Sequence, residues 1–233
     1  MPRWLKRTLI VATALLVLGG VVVVAADAPA RATAEHGVAV SLQEQVPFTD
    51  EPTVAIEGWP FLVNLAVGFP TVRVHASGMP ISGDGVSLTL TDPDFVLTGV
   101  KLRGKTITAD GLTGSARISY SELSNAAGRE ISSAGDGRVG YTAKTEAMGL
   151  ELSATVSGRL ALDASAQSLT LAEPKVSIVG VELPDYVVDA VVAKVVQPIP
   201  VPLPYGIKLS SIEADAAGLS LGATGENLTF ALS

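Results

Sequence analysis

The sequence contains no cysteine and only two histidines, His36 and His75, among its 233 residues. Without cysteine there are no disulfides, thiolate nucleophiles or thiolate metal sites, so an exported domain of this sequence must be stabilised by burial and hydrogen bonding. Two histidines this far apart give little material for a histidine metal centre or a catalytic triad. The sequence therefore predicts no metal and no cofactor.

Basic residues are scarce beyond the N-terminus. Three of the 16 lysines and arginines precede Asp27, whereas all 23 acidic residues follow Ala26, which leaves 13 basic against 23 acidic residues and a net charge of −10. Nucleic acids bind proteins through a basic footprint, so no nucleic-acid partner is predicted. Contacts with lipid should for the same reason be apolar, or confined to local groups of charge.

Candidate catalytic groups are few. The chain has no Gly-x-Ser-x-Gly nucleophile elbow. Asp84, Asp92 and Asp94 lack the spacing of a calcium-binding loop and are interpreted as turn residues. Asp185 and Asp189 are one helical turn apart, and a polar stripe on an otherwise apolar helix explains them without catalysis. We therefore predict that the protein is not an enzyme.

Residues 8–26 form an uncharged run of nineteen residues that follows Arg3, Lys6 and Arg7. A helix of this length spans roughly 28 Å, close to the thickness of bilayer hydrocarbon. Residues 1–26 are thus predicted to be a retained membrane anchor or a cleaved signal peptide, and a length beyond the usual signal core of about 7–15 residues favours the anchor. The rest should face the outside of the cell membrane, or be secreted after cleavage.

Residues 27–46 are predicted to be a stalk or weak helix interrupted at Gly37, and residues 47–233 a single β-rich domain. Apolar–polar alternation recurs there about every ten residues between turn signals, which indicates a meandering antiparallel sheet with one buried face. Short helices are predicted over 61–67 and 120–123, and a polar loop over 125–136.

Residues 184–197 form the most apolar stretch of the C-terminal region, with only four polar side chains among fourteen residues. Pro184 at its start and its length favour a helix of about 21 Å, which must be covered on most sides. The predicted fold class is therefore α+β. A long, curled, antiparallel β-sheet is wrapped around this apolar C-terminal helix, and a transmembrane or signal helix precedes it.

Four segments resemble those of a known family in sequence, order and spacing. They are IEGWPFL (56–62), FPTVRV (69–74), ADGLTGSA (109–116) leading into SYSEL (119–123), and VPLPYGIKL (201–209). Over about residues 50–232, and in its N-terminal apolar segment, the chain resembles the LmeA-like phospholipid-binding proteins of actinobacteria, which are related in fold to tubular lipid-binding domains. The resemblance implies a single twisted sheet curled around a helix, an apolar tunnel for acyl chains, and a role in envelope lipid or lipoglycan assembly.

Three of the seven Phe and Trp residues fall within residues 59–69. With the resemblance, this segment is predicted to line or gate the tunnel mouth through Trp59, Phe61, Leu62, Leu65 and Phe69. The predicted inner wall, including one C-terminal tyrosine, consists of Tyr120, Leu123, Tyr186, Val187, Val191, Val195 and Tyr205. Ordinary core packing is the alternative for all of them, because a lipid pocket and a core use the same residue types.

Lys101, Arg103 and Lys105 alternate in the sequence, so on one strand they would project from one face. Three cations on one face could hold a phosphate head group, and arginine could do so with two parallel hydrogen bonds. A solvated strand face is the alternative.

The predicted function is phospholipid binding in an apolar tunnel at the outer face of the cytoplasmic membrane. The predicted partners are phospholipid, the membrane and enzymes of envelope glycolipid biosynthesis. A cell-surface structural or interaction protein with a solid core is the alternative, and an envelope hydrolase is the third choice.

Overall fold

The structure is a computed structural model that describes residues 26–44, 46–83, 86–104, 106–147, 150–178, 199–200, 203 and 206–231. This part of the chain is mostly antiparallel β-sheet with a few helices, so the α+β class is confirmed at that level. The described helices are α1 (residues 26–44), α2 (Phe61–Val67) and α3 (Tyr120–Ala127). The predicted helix over 184–197 lies outside the described residues.

The described strands form two curled, open sheets. The first has the order β1-β2-β4-β5-β12-β11, with β3 also paired to β4, and the second has the order β10-β9-β8-β7-β6. The bounds are β1 (Thr53–Glu57), β2 (Phe69–His75), β3 (Gly78–Gly83), β4 (Val86–Arg103), β5 (Thr106–Ser119), β6 (Ile131–Ser133), β7 (Arg138–Ala147), β8 (Leu150–Asp163), β9 (Ser168–Ile178), β10 (Ile199–Pro200), β11 (Lys208–Ala214) and β12 (Gly218–Ala231). In the described ranges, two sheets thus replace the single sheet that was predicted.

Helix α1 packs on the first sheet through apolar residues spaced four apart. Ala30, Ala34, Val38 and Leu42 contact the buried cluster around Ile56 and Phe61, which places them on one helical face. Gly37 was expected to interrupt this segment but lies within α1. A Cβ added to Gly37 would touch nothing within 4 Å, so no close contact requires glycine here. Glycine inside a helix costs about 1 kcal/mol relative to alanine, and the packing of α1 on the sheet offsets this cost.

The long hairpin of β4 and β5 forms the centre of the first sheet. Asp92, interpreted from the sequence as a turn residue, lies instead in a bulge inside the continuous strand β4, at a φ of 48°. The amide of Asp92 donates to the carbonyl of Ser77, and the carbonyl of Pro93 accepts from the amide of Ala76, so the bulge keeps its hydrogen bonds. β4 and β5 are therefore 18 and 14 residues long, longer than the spacing of about ten residues between turn signals indicated.

Two buried clusters on one face of the first sheet form its core. The first includes Val54, Ile56 and Phe61, and the second joins Ala109, Leu112 and Leu228. Ala109 and Leu228 are register partners on β5 and β12, so the final strand completes the second cluster. Alternating burial along β1 agrees with the period of two read from the sequence.

Helix α3 and one glutamine side chain connect the two sheets. The Ser119 side chain caps α3 by accepting from the amide of Glu122, whose carboxylate accepts from the amide of Thr89 on β4. Gln167 bonds both backbone groups of Leu209 on β11, as a strand residue would. The predicted loop over 125–136 is shorter than expected, because α3 continues to Ala127 and β6 occupies Ile131–Ser133.

No helix within the described ranges is both long and apolar enough to cross a bilayer. The predicted membrane segment, residues 8–26, lies outside those ranges except for Ala26.

Candidate functional site

The loop before α2 divides the predicted aromatic segment between core and surface. The Trp59–Pro60 peptide is cis, and α2 begins at Phe61. Phe61 is 2% exposed and stacks on Phe69 with ring centroids 5.2 Å apart, whereas Trp59 is 70% exposed. Leu62 is partly buried against the same cluster. Phe61, Phe69 and Leu62 therefore contribute to the packed core, and Trp59 lies on the surface.

The outer face of α2 is apolar and exposed. Val63 and Val67, four residues apart on one helical face, are 51% and 65% exposed. Leu65, which was predicted with Phe61 to line or gate the tunnel mouth, is also 51% exposed. The sequence of α2, FLVNLAV, contains no charged residue. Contiguous exposed apolar surface usually marks a site of interaction with protein, ligand or membrane.

Asp27 of α1 caps α2 from outside the helix. The N-cap residue of α2 is Pro60, which provides no side-chain hydrogen bond, and the amide of Leu62 donates to the Asp27 carboxylate at 3.2 Å. A carboxylate at this position satisfies a free amide and interacts favourably with the helix dipole. Asp27 is buried, and its hydrogen bond to Leu62 joins the first turn of α1 to the first turn of α2.

Two further polar side chains of α1 bond the backbone near β1. Arg31 donates to the carbonyl of Gly58 at 2.6 Å, and Glu35 accepts from the amide of Ile56 at 2.8 Å. Asp27, Arg31 and Glu35 follow one another at intervals of four residues, so they lie on one side of α1. That spacing was the available sequence signal for this contact, and sequence analysis missed it.

An open cavity of about 280 Å³ lies between α1 and Trp59. Its lining is Asp27, Ala28, Arg31, Ala32, Glu35 and Trp59. Small-molecule pockets usually have volumes of about 300–1,000 Å³ and enclose most of the ligand, so this recess is too small and too open to hold a lipid.

A row of apolar side chains continues the inner face of the first sheet beyond its core. Leu102, Ile107 and Phe230 are register neighbours on β4, β5 and β12. Ile107 and Phe230 are partly buried against the second cluster, while Leu102 is 53% exposed. None of these residues was predicted as a site, although each lies two positions along its strand from a buried residue of the second cluster, Val100, Ala109 or Leu228, which indicates the same face.

Tyr120 connects α3 to the turn between β11 and β12. Its hydroxyl donates to the carbonyl of Asp215 at 2.8 Å, and burial raises its pKa above the usual value. The Asp215 carboxylate accepts from Arg117 and from the amides of Ala217 and Gly218, and the Arg117 hydrogen bond contributes most to lowering its pKa. Leu123, the second predicted wall residue of this segment, is partly buried on α3.

Two of the predicted cations, Lys101 and Arg103, lie two residues apart on β4, which ends at Arg103, and Gly104 follows at a φ of 61°. Lys105 lies outside the described residues. Lys101 is 3.8 Å from the Asp110 carboxylate, whereas Arg103 is exposed and has no ion pair among the described residues. Arg103 is therefore the stronger candidate for contact with a phosphate.

Two glycine patterns of nucleotide-binding proteins occur in structures that do not fit them. Residues 99–106, GVKLRGKT, match the Gly-x-x-x-x-Gly-Lys-Thr loop, and residues 135–140, GDGRVG, match Gly-x-Gly-x-x-Gly. Both motifs require a loop that leads from a strand into a helix. The first lies in the β4–β5 hairpin and the second leads into β7, so neither forms such a loop.

Tyr186, Val187, Val191, Val195 and Tyr205 lie outside the described residues. Among the described residues, no three histidine or acidic side chains group closely enough to hold a metal ion.

A protein-family model matches the chain. The model of the LmeA-like phospholipid-binding family matches residues 25–224, which is most of the chain. The searches of curated proteins and of solved structures gave no significant match.

Proposed function

The chain belongs to the LmeA-like phospholipid-binding family, and we propose that it holds acyl chains of a phospholipid against the inner face of the first sheet. The predicted helix over residues 184–197 would form the opposite wall of the site. Such binding requires no catalytic step.

The partly covered row of Leu102, Ile107 and Phe230 carries this proposal. It extends the apolar face beyond the second buried cluster, and its outermost member is more than half exposed. Covering such surface with hydrocarbon contributes about 25 cal/mol per Å². An acyl chain therefore has an apolar wall to bind here without displacing the packed residues around Phe61.

The N-terminal sequence supports a cellular setting at the membrane. Residues 1–26 would hold the domain at the outer face of the cytoplasmic membrane, which raises its effective concentration near lipid. We propose a supporting role there in envelope lipid or lipoglycan assembly, with enzymes of envelope glycolipid biosynthesis as partners.

Mass spectrometry of lipid extracted from the purified full-length chain tests the proposal. Wild-type protein should retain phospholipid, and Leu102→Glu should retain severalfold less because it places a charge in the apolar row. Ile81→Glu is the matched control, since Ile81 is also an exposed apolar residue of the first sheet, 41% exposed. Wild-type protein without lipid, or equal retention by Leu102→Glu, would contradict the proposal.

The filled core around Phe61 favours a second candidate function. Phe61 and Phe69 occupy the space between α1 and the sheet, so this end of the domain is packed by its own side chains. If the whole interior is packed in this way, the protein is a cell-surface structural or interaction protein. The same lipid extraction distinguishes the two functions.

A further inference from the structure

In the part of the chain that the structure describes, the exposed large apolar residues are concentrated at Trp59 and α2. Of the seven large apolar side chains that are exposed in the described residues, four fall within residues 59–67. They are Trp59, Val63, Leu65 and Val67. Tryptophan combines an apolar ring with a polar N–H group and is enriched where hydrocarbon meets water. The composition of this surface therefore suits a membrane interface.

The position of α1 brings this surface next to the predicted membrane segment. That segment ends at Ala26, and the next residue, Asp27, hydrogen-bonds the amide of Leu62 in the first turn of α2. A span that leaves the bilayer at Ala26 would consequently place α2 within about one helical turn, or roughly 5 Å, of the membrane interface.

The charges around α2 are compatible with anionic lipid although the domain as a whole is acidic. The Lys101 side chain lies against Gly68, the residue that ends α2, and Arg103 is two residues further along β4. The nearby carboxylates have partners, since Asp110 lies near Lys101 and Asp27 pairs with Arg31. Arg103 is therefore available to contact lipid phosphate beside the apolar face.

We propose that Trp59 and the outer face of α2 form a membrane-docking surface that inserts into the interface of a bilayer containing anionic phospholipid. Arg103 contacts lipid phosphate at its edge. Docking goes beyond the proposed function, because it fixes how the domain sits on the bilayer. It does not depend on whether a lipid occupies the inner face of the first sheet.

Fluorescence of Trp59 tests the proposal. Trp4→Phe in the full chain leaves Trp59 as the single tryptophan. After reconstitution into vesicles of phosphatidylcholine and phosphatidylglycerol, its emission should shift to shorter wavelength and be quenched by lipids with brominated acyl chains. Iodide added to the buffer should quench Trp59 in the vesicle-bound protein less than in the same protein unfolded in detergent-free urea. Emission that is insensitive to the brominated lipids would overturn the proposal, including the case in which another segment of the chain covers α2.

Variants of α2 separate docking from simple proximity to the bilayer. Val63→Asp with Val67→Asp should abolish quenching by brominated lipid, whereas Ile81→Asp should leave it unchanged. Arg103→Glu should weaken quenching only in vesicles that contain phosphatidylglycerol. Circular dichroism checks that each variant is folded, and the amount of extracted lipid reports on the proposed function separately. Unchanged quenching in the folded double variant would also overturn the proposal.

Discussion

The two sheets are stabilised by different interactions. Both buried apolar clusters lie on the first sheet, where α1 and α2 cover part of its inner face. In the second sheet the buried residues with described side chains include Val156 but also the polar residues Arg138 and Ser168. Among the side chains that the structure describes, the first sheet is thus stabilised mainly by apolar burial, and the second depends more on buried hydrogen bonds.

A bulge in the second sheet explains its buried arginine. The register between β8 and β9 shifts between Ser157 and Arg159, and Glu173 on the facing strand has a φ of 47°. Arg138 donates to the carbonyls of Ser157 and Glu173 at this bulge. Arg138 and Arg159 are register partners, and the Glu173 carboxylate lies near both and offsets their repulsion. The comparison predicts different sensitivities to mutation in the two sheets.

Phe61→Ala should have the largest effect on stability. Phe61, the first residue of α2, is fully buried against α1 and the first sheet. Its truncation leaves a cavity and should lower the free energy of unfolding by about 3–5 kcal/mol. Urea unfolding of the full chain in mild detergent measures the change. Trp59→Ala, at an exposed position two residues away, should stay within about 0.5 kcal/mol. Similar losses for both variants would contradict the assignment of Phe61 to the core.

Arg138→Met should destabilise the second sheet by about 1–3 kcal/mol, because two carbonyls at the bulge lose their charged donor. Arg159→Met serves as control, since its side chain is 56% exposed and lies 3.8 Å from the Glu173 carboxylate. Exposed ion pairs contribute little, so the control should change stability by less than about 1 kcal/mol. Equal losses would show that charge balance, and not the buried hydrogen bonds, stabilises this bulge.

Asp27→Ala should cost about 0.5–2 kcal/mol, the range measured for removal of an N-cap side chain. The variant removes the acceptor for the amide of Leu62 and the ion pair with Arg31. Asp27→Asn keeps an oxygen acceptor and should be less destabilising. Urea unfolding compares the two variants, and equal effects would indicate that the ion pair is the main contribution.

Asp215→Asn should give the smallest effect, and that effect should depend on pH. The Arg117 hydrogen bond and the two turn amides lower the pKa of Asp215 in the folded state, so its ionised form stabilises the fold. This contribution is present above the unfolded pKa of about 3.9 and is lost as pH falls through the folded value. The melting temperatures of wild type and variant should therefore differ at neutral pH and converge at low pH. Glu226→Gln controls for removal of a surface charge.

Much of the fold could be predicted from local pattern. The alternation of Val54 and Ile56 correctly identified β1, and Pro60 followed by apolar residues correctly identified α2. The bulge at Asp92 was read as a turn, because a proline and two aspartates are typical of turns and the bonds to Ser77 and Ala76 come from distant sequence. Helix α1 was underestimated for a similar reason, since its stability depends on packing against Ile56 and Phe61.

The candidate site could be predicted only in part. The sequence identified the aromatic segment at 59–69 but could not separate buried Phe61 from exposed Trp59, because burial depends on which elements pack against each residue. Leu102 and Ile107 face each other across the β4–β5 turn, but Phe230 comes from the last strand, and only strand pairing brings it into the same row.

Period-two alternation and turn residues act over a few neighbouring positions, so the sequence by itself determined an antiparallel, β-rich domain of acidic charge without cysteine chemistry. The tertiary structure decided which apolar side chains fill the core and which remain exposed, since burial is a property of distant segments packed together. It also decided that Asp27 caps α2, because that hydrogen bond joins residues 35 positions apart in the chain.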